Sequence, residues 1–424
     1  MSALGTVLLS VVVLKGATVH PASSPAIPDG VVVMDGARIL AVGGPETAIP
    51  AGATVVDASG KHLAPAYFAP ATALGLVEIE AVRATLDVSE TGDLNPEVRP
   101  DVAMNLDSVL LPVARSGGVL FGALVPRGSV LPGHVSVVRL DGWTREDACV
   151  SCPAASVLEW PDMRIDRSKD ARPSAKRQEK RREEALDRIR DAFRGAHAYR
   201  LGRTQKTPQA DVDARFAALV PVLEGRSLLL VRANTKQQIE AVLRFLDDDL
   251  AKLMTGPPNV ALLGGDDAPL LAPRLAERKI PVILDGVLEL PARSDDAYDT
   301  SFTRAAVLSK AGVLVAISAG AATGAASLTQ NLAHHAAQAA AFGLSREEAL
   351  RSITLNGARI FGVEKELGSL EAGKEASLVV LTGDPLEVTS QVTALYHRGV
   401  SIDLGDKQKS LYEKYRNRPR PSRK

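Results

Sequence analysis

The chain reads as an α/β protein: a parallel sheet or barrel wrapped by helices in its middle, and a small β-sandwich formed from both chain ends. Three observations carry this. Of 424 residues, 46% are hydrophobic but only 4% aromatic, so the core draws on Ala, Val, Leu and Ile, the residues favoured in buried parallel strands and their covering helices. Short apolar runs alternate with amphipathic stretches through the middle of the chain. Strand-length runs punctuated by Gly, Asp and Pro occupy both ends.

From the N-terminus, residues 8–14, 31–34 and 39–42 are apolar, separated by Pro28-Asp29-Gly30, Asp35-Gly36 and Gly43-Gly44. Short strands joined by Asp-Gly turns predict an antiparallel sheet. Residues 378–381 and 392–396 repeat the texture, with Gly383-Asp384-Pro385 and Arg398-Gly399 as breakers. Between them, residues 119–125, 228–231, 260–263, 281–284 and 313–317 are strand-like, alternating with helical stretches such as 235–247, 268–278 and 301–310. This is the βα rhythm of a parallel sheet or barrel. We divide the chain into residues 1–62 with 367–408 as the composite sandwich, and 63–366 as the barrel. A charged helical insertion covers about 166–203, and 409–424 form a C-terminal tail whose end from Arg416, rich in Arg and Pro, is expected to be disordered. Mixed charges at helical spacing in the insertion predict a solvated helix rather than a binding surface.

Fifty Lys and Arg balance fifty Asp and Glu, so no field of one sign draws the chain to nucleic acid or an anionic membrane. The apolar run at 7–14 has no basic residue before it and is too short to cross a bilayer, which takes about 20 residues. Residues 1–19 are therefore read as a strand. The protein is cytoplasmic as read, and periplasmic if an export signal was removed before Met1. Cys149 and Cys152 form a single CxxC, a redox pair or an inert one, without the second pair or His cluster of a structural zinc site. The segment 126–134 is Gly-rich but lacks the phosphate-cradling Gly-Lys-Ser/Thr end, and is read as a loop over the barrel carrying His134. No Gly-x-Ser-x-Gly elbow occurs.

Two blocks carry a resemblance to a known family. Thr354-Leu355-Asn356-Gly357-Ala358-Arg359-Ile360-Phe361-Gly362-Val363, followed by Gly368-Ser369-Leu370-Glu371-Ala372-Gly373-Lys374, resembles the closing signature of the amidohydrolase superfamily, especially imidazolonepropionase-like members. Asp35-Gly36-Ala37-Arg38-Ile39, Gly52-Ala53-Thr54-Val55-Val56-Asp57 and Pro65 resemble its opening. The resemblance implies a (β/α)8 TIM-like barrel whose mouth holds zinc or another divalent metal for metal-dependent hydrolysis. The implied ligands are His-x-His on the first strand, Lys or Glu midway, single His residues on two later strands and Asp on the last.

At those positions this chain carries Ala71 and Ala73, then Arg232, Gly264 and Ala319, with no bridging Lys between 152 and 164. Methyl groups donate nothing to a metal, and a guanidinium repels one. None of the seven His residues has an HxH or HxxxH spacing. We therefore expect a barrel without the usual metal or any cofactor, acting as a binding or scaffolding subunit. Its partners would be its own copies or an active relative, with a small-molecule ligand as a further candidate. The alternative is an active hydrolase of cyclic or peptide-like amides working through another site. Ligand-pocket candidates are Glu78, Glu80, Asp87 and Glu90 in the loop after the first barrel strand, His134, and Arg232. The acidic loop is either a cation site or a solvated face, and is expected to be the counterpart of Arg232.

Overall fold

A computed structural model describes residues 11–128, 130–204 and 212–419. The apolar run at 7–14 thus lies largely outside the described residues, as do Ser129 and the last five residues of the tail. The N-terminal part forms β1 (Val12–Val19), β2 (Ile27–Asp35), β3 (Arg38–Gly43), β4 (Thr54–Asp57) and β5 (His62–Pro65). β1 pairs antiparallel with β2, which pairs with β3. Along its other edge β1 takes β4 and then β5, both parallel.

The chain then builds the barrel: β6 (Tyr67–Thr72), β7 (Val119–Leu124), β8 (Gly133–Arg139), β9 (Cys149–Glu159), β10 (Leu228–Ala233), β11 (Val260–Gly264), β12 (Val282–Asp285) and β13 (Val315–Ser318). These pair in chain order as one eight-stranded sheet. All pairings are parallel except those of β8, which runs antiparallel to β7 and β9. The barrel thus departs from eight uniform βα units. The segment read as a loop at 126–134 instead leads straight into β8, because a short connection can return the chain only as an antiparallel neighbour.

β13 and β6 approach to nearly close the barrel, and their seam is held by other bonds. The Ser318 hydroxyl donates to the Ala71 carbonyl at 2.5 Å, and Phe68 N–H donates to the Ile353 carbonyl at 2.7 Å. The closing signature supplies the rest. On the helix Leu355–Ile360, Asn356 Nδ2 donates to the Val315 carbonyl at 2.8 Å. A Cβ on Gly357 would stand 2.8 Å from the Phe68 ring, so only glycine lets this helix lie against β6.

The last strands, β14 (Leu378–Leu381), β15 (Val392–His397) and β16 (Val400–Ile402), join the N-terminal sheet through β14 on β5. Both chain ends therefore form one eight-stranded sheet in the order β16-β15-β14-β5-β1-β2-β3, with β4 beside β1. The pairing joins into one sheet what the sequence led us to expect as two facing layers. Its docking on the barrel includes buried charge: Arg139 of β8 reaches Glu375 at 2.6 Å, and the Ser377 hydroxyl donates to the same carboxylate at 2.7 Å. Burial opposes the Glu375 charge, but Arg139 and Ser377 outweigh it and hold the carboxyl below the usual glutamate range. Nearby, Asp141 bridges Arg115 at 2.6 Å and His397 Nδ1 at 2.8 Å.

The charged insertion is the helix Ala175–Thr204, whose apolar residues Ile189, Phe193 and Ala196 are buried while its cations pair along its surface. Lys407–Arg416 form a helix capped by Asp406, whose carboxylate accepts from Lys409 N–H at 2.8 Å; the end expected to be disordered, from Arg416 on, lies mostly outside the described residues. Cys149 and Cys152 are joined as a disulfide at the start of β9.

Two stability predictions follow from buried groups. Arg139→Met strands the Glu375 carboxylate and is expected to cost about 3 to 5 kcal/mol in denaturant unfolding, most of it recovered in Arg139→Met/Glu375→Gln. His335 is buried and its Nδ1 accepts from Val287 N–H at 3.1 Å, so the ring is neutral; burial, helped by neighbouring His334, lowers its pKa to about 4. The unfolded chain takes up this proton near 6.5 and the folded one only near 4. The stabilisation is therefore complete above pH 6.5 and lost as pH falls toward 4, on the order of 3 kcal/mol. His335→Gln, which keeps an acceptor for Val287, should flatten that part of the stability–pH curve.

Candidate functional site at the barrel mouth

The C-terminal ends of the parallel strands open on one face, where barrels of this kind carry their functional groups. β6 ends at Ala71-Thr72 with Ala73 next, β9 at Glu159, β10 at Arg232-Ala233, β11 at Gly264, β12 at Asp285, and β13 at Ser318 with Ala319 next. Ladder register sets Arg232 directly beside Glu159. Arg232 Nε donates to Glu159 Oε1 at 2.9 Å, and Nη1 donates to Asp285 Oδ2 at 3.1 Å. β11 lies between β10 and β12, and its end residue Gly264 has no side chain to block the reach to Asp285. Asp285 is itself fixed by Ala321 N–H, which donates to Oδ1 at 2.6 Å.

These three charges are mostly withdrawn from water: the side chains of Arg232, Glu159 and Asp285 are 12%, 17% and 24% exposed. Burial raises the Glu159 pKa above the usual glutamate range; Arg232 and Arg127 pull it back, and the like charge of Asp285 adds to the rise. Arg232 Nη2 is buried without a hydrogen-bond partner. The group is thus a cation clamped by two carboxylates, with its Nη2 nitrogen left without a partner.

The expected counterpart of Arg232 is corrected by this geometry. Glu78 accepts instead from Asn105 Nδ2 at 3.0 Å, and Glu80 from the Thr323 hydroxyl at 3.3 Å. Asp87 and Glu90 line a separate cavity of about 450 Å³ with Val98, Pro100 and Pro126. Adjacent strands bring Glu159 to the guanidinium, while the loop after β6 is engaged elsewhere. His134 is also placed away from Arg232: it lies buried in β8, its Nδ1 3.2 Å from the Ala155 carbonyl and 3.4 Å from the Ser156 hydroxyl. It borders a cavity with Ser227 and Asn259, at the N-terminal ends of β10 and β11.

Sequence reading missed Glu159 and Asp285. Both close apolar runs, Ala155-Ser156-Val157-Leu158 and Val282-Ile283-Leu284, and a carboxylate ending a buried strand was the available signal. The residues present do not fit a divalent metal. Ala71, Ala73 and Ala319 offer no donor, and both carboxylates at the strand ends are engaged by Arg232. Among the described residues, no group of three or more His, Cys, Asp or Glu side chains could hold a metal ion. Position 264 disfavours a ligand: Gly264 has φ +100°, where a side chain is strained, and a Cβ there would have to displace the Asn234 side chain.

Comparison with known proteins agrees with this architecture. Residues 247–402 match the model of the Amidohydrolase family. Over 407 residues the chain is 26% identical to a 5-methylthioadenosine/S-adenosylhomocysteine deaminase of Moorella thermoacetica, covering 87% of this chain and 85% of that one. The crystal structure of an amidohydrolase from Thermotoga maritima superposes with a TM-score of 0.80 at 25% identity, over 92% of this chain and 99% of that one. A zinc-bound adenosine deaminase from Xanthomonas campestris shares the fold alone, at TM-score 0.52 and 16% identity, over 96% and 97% of the two chains. Signature, barrel and relatives converge on the amidohydrolase superfamily.

Proposed function

We propose that this chain is a metal-free amidohydrolase homologue that serves as a binding or scaffolding subunit rather than as a metal-dependent hydrolase. One observation carries the reading: a guanidinium, held by Glu159 and Asp285, stands at the strand ends where the family's metal ligands are expected. A divalent ion there would meet a fixed positive charge and would have to displace it from both carboxylates. Gly264 supports the same reading, since its backbone conformation makes a ligand side chain at that position strained. The positive charge also does part of a metal's structural work, binding together three strand ends.

A second reading rests on Glu159. A carboxyl with a raised pKa in a shielded mouth is the type of group that serves as a general acid or base. This keeps open hydrolysis of cyclic or peptide-like C–N bonds without the usual metal. Loss of measured turnover on N-acyl amino acids or cyclic amides in Glu159→Gln, with fold intact, would favour it; absence of turnover in the parent chain removes it.

Elemental analysis of the purified chain tests the first reading. We expect no stoichiometric zinc, manganese or iron, and no change in unfolding temperature on chelation; about one tightly held metal per chain, lost together with activity, overturns it. Restoring His at 71, 73, 232 and 264 and Asp at 319 should yield weak metal binding at best.

Arg232→Ala leaves Glu159 and Asp285 facing each other unpaired and is expected to cost about 3 kcal/mol at pH 7. The Glu159 pKa, already raised, rises further in this variant. Its neutral form then contributes stability fully below the unfolded value, and this is lost as pH rises through the folded value. The destabilisation should therefore shrink toward pH 4.5 and be offset by Glu159→Gln at neutral pH, as followed by denaturant unfolding.

A further inference from the structure

The loops around the barrel mouth expose apolar side chains in an acidic setting. Ile79 and Val82 follow β6, and Leu288 and Leu290 follow β12, with Leu290 88% exposed. These two loops are tied together by the loop after β13: Ala321 N–H donates to Asp285 at 2.6 Å, and the Thr323 hydroxyl donates to Glu80 at 3.3 Å. Residues 77–91 and 286–299 carry eight carboxylates against Arg83 and Arg293. Arg293 is already engaged by Asp267 and Asp296. The two loops therefore expose apolar side chains and carry a net negative charge.

A complementary surface lies elsewhere on the same chain. None of the ten residues of the helix Lys407–Arg416 is buried. An isolated helix shorter than about 12 to 15 residues is marginal in water, so this one requires a surface to lie on. Leu411 and Tyr415 fall four apart, and Tyr412 and Tyr415 three apart, giving one apolar face; Tyr412 is 62% exposed. Residues 406–419 place five cations against Asp406 and Glu413. The helix begins beside a cavity that Lys409 shares with Tyr67 and Gly117, at the N-terminal ends of β6 and β7. It is anchored at the end of the barrel opposite the mouth, so it cannot cover its own.

We propose that the C-terminal helix of one copy docks on the acidic, apolar barrel mouth of a second copy. This deepens the scaffolding reading and rests on it: a mouth closed by Arg232, Glu159 and Asp285 is free to serve as a docking face. Leu411, Tyr412 and Tyr415 meet Ile79, Val82, Leu288 and Leu290, while the helix cations face the carboxylates of the two loops. The contact is heterologous, a helix on a mouth, and its two halves can be disabled separately.

Sedimentation of the full-length chain over a concentration series tests this. We expect self-association that weakens about tenfold or more between roughly 0.05 and 0.5 M salt, since the charges at the contact are screened. Leu290→Glu on the mouth and Tyr412→Asp/Tyr415→Asp on the helix should each give monomers of unchanged unfolding temperature. Mixed together, the two variants should form a one-to-one complex, because each retains the half the other lacks. A chain that stays monomeric up to about 100 μM, variants that still associate, or variants that fail to complement would each overturn the proposal. Binding of the full-length chain to phosphatidylserine vesicles without self-association would assign the helix to a lipid surface and overturn it as well. Elemental analysis separates the failures: a metal-free but monomeric chain leaves the metal-free reading standing and removes only this contact.

Discussion

The barrel mouth depends on one interaction, the clamp of Glu159 and Asp285 on Arg232. A parallel barrel brings the ends of its strands together, and whatever charges stand there must be neutralised locally because little water reaches them. In metal-dependent barrels a cation from solution meets that requirement. Here the chain carries its own cation. The consequence runs through the rest of the site: Asp285 is held from behind by the Ala321 backbone, and Ala321 belongs to the loop that also positions Thr323 against Glu80. The mouth loops are thereby ordered around a fixed ion group, with Arg232 Nη2 left without a partner.

Glycine at 264 makes this arrangement geometrically consistent. With φ +100°, which favours glycine, the end of β11 carries no side chain, and the guanidinium on β10 reaches across it to β12. The same residue that cannot hold a metal opens the path for the ion pair. Gly264 thus leaves room for the Arg232–Asp285 pair while offering no donor of its own.

Away from the mouth, the fold is held by features that the family signature serves. Asn356 and Gly357 let a short helix seal the β13–β6 seam, where strand pairing is interrupted. Ser377 joins Arg139 in satisfying buried Glu375 between sheet and barrel. These parts are held by backbone carbonyls, ring faces and buried ion pairs.

The sequence by itself determined the class of fold, the joining of the two chain ends, and the identity of the residues at the expected ligand positions. Each of these follows from local periodicity or from a motif read in order, as with the apolar runs at 228–231 and 260–263 that became β10 and β11. Tertiary structure alone decided what those residues do. That β8 runs antiparallel depended on how a short connection returns to the sheet. That Arg232 pairs with Glu159 and Asp285, not with Glu78, Glu80, Asp87 or Glu90, depended on strand register and on an empty position in between. Those partners lie 73 and 53 residues from Arg232 along the chain, and only closure of the barrel makes them neighbours.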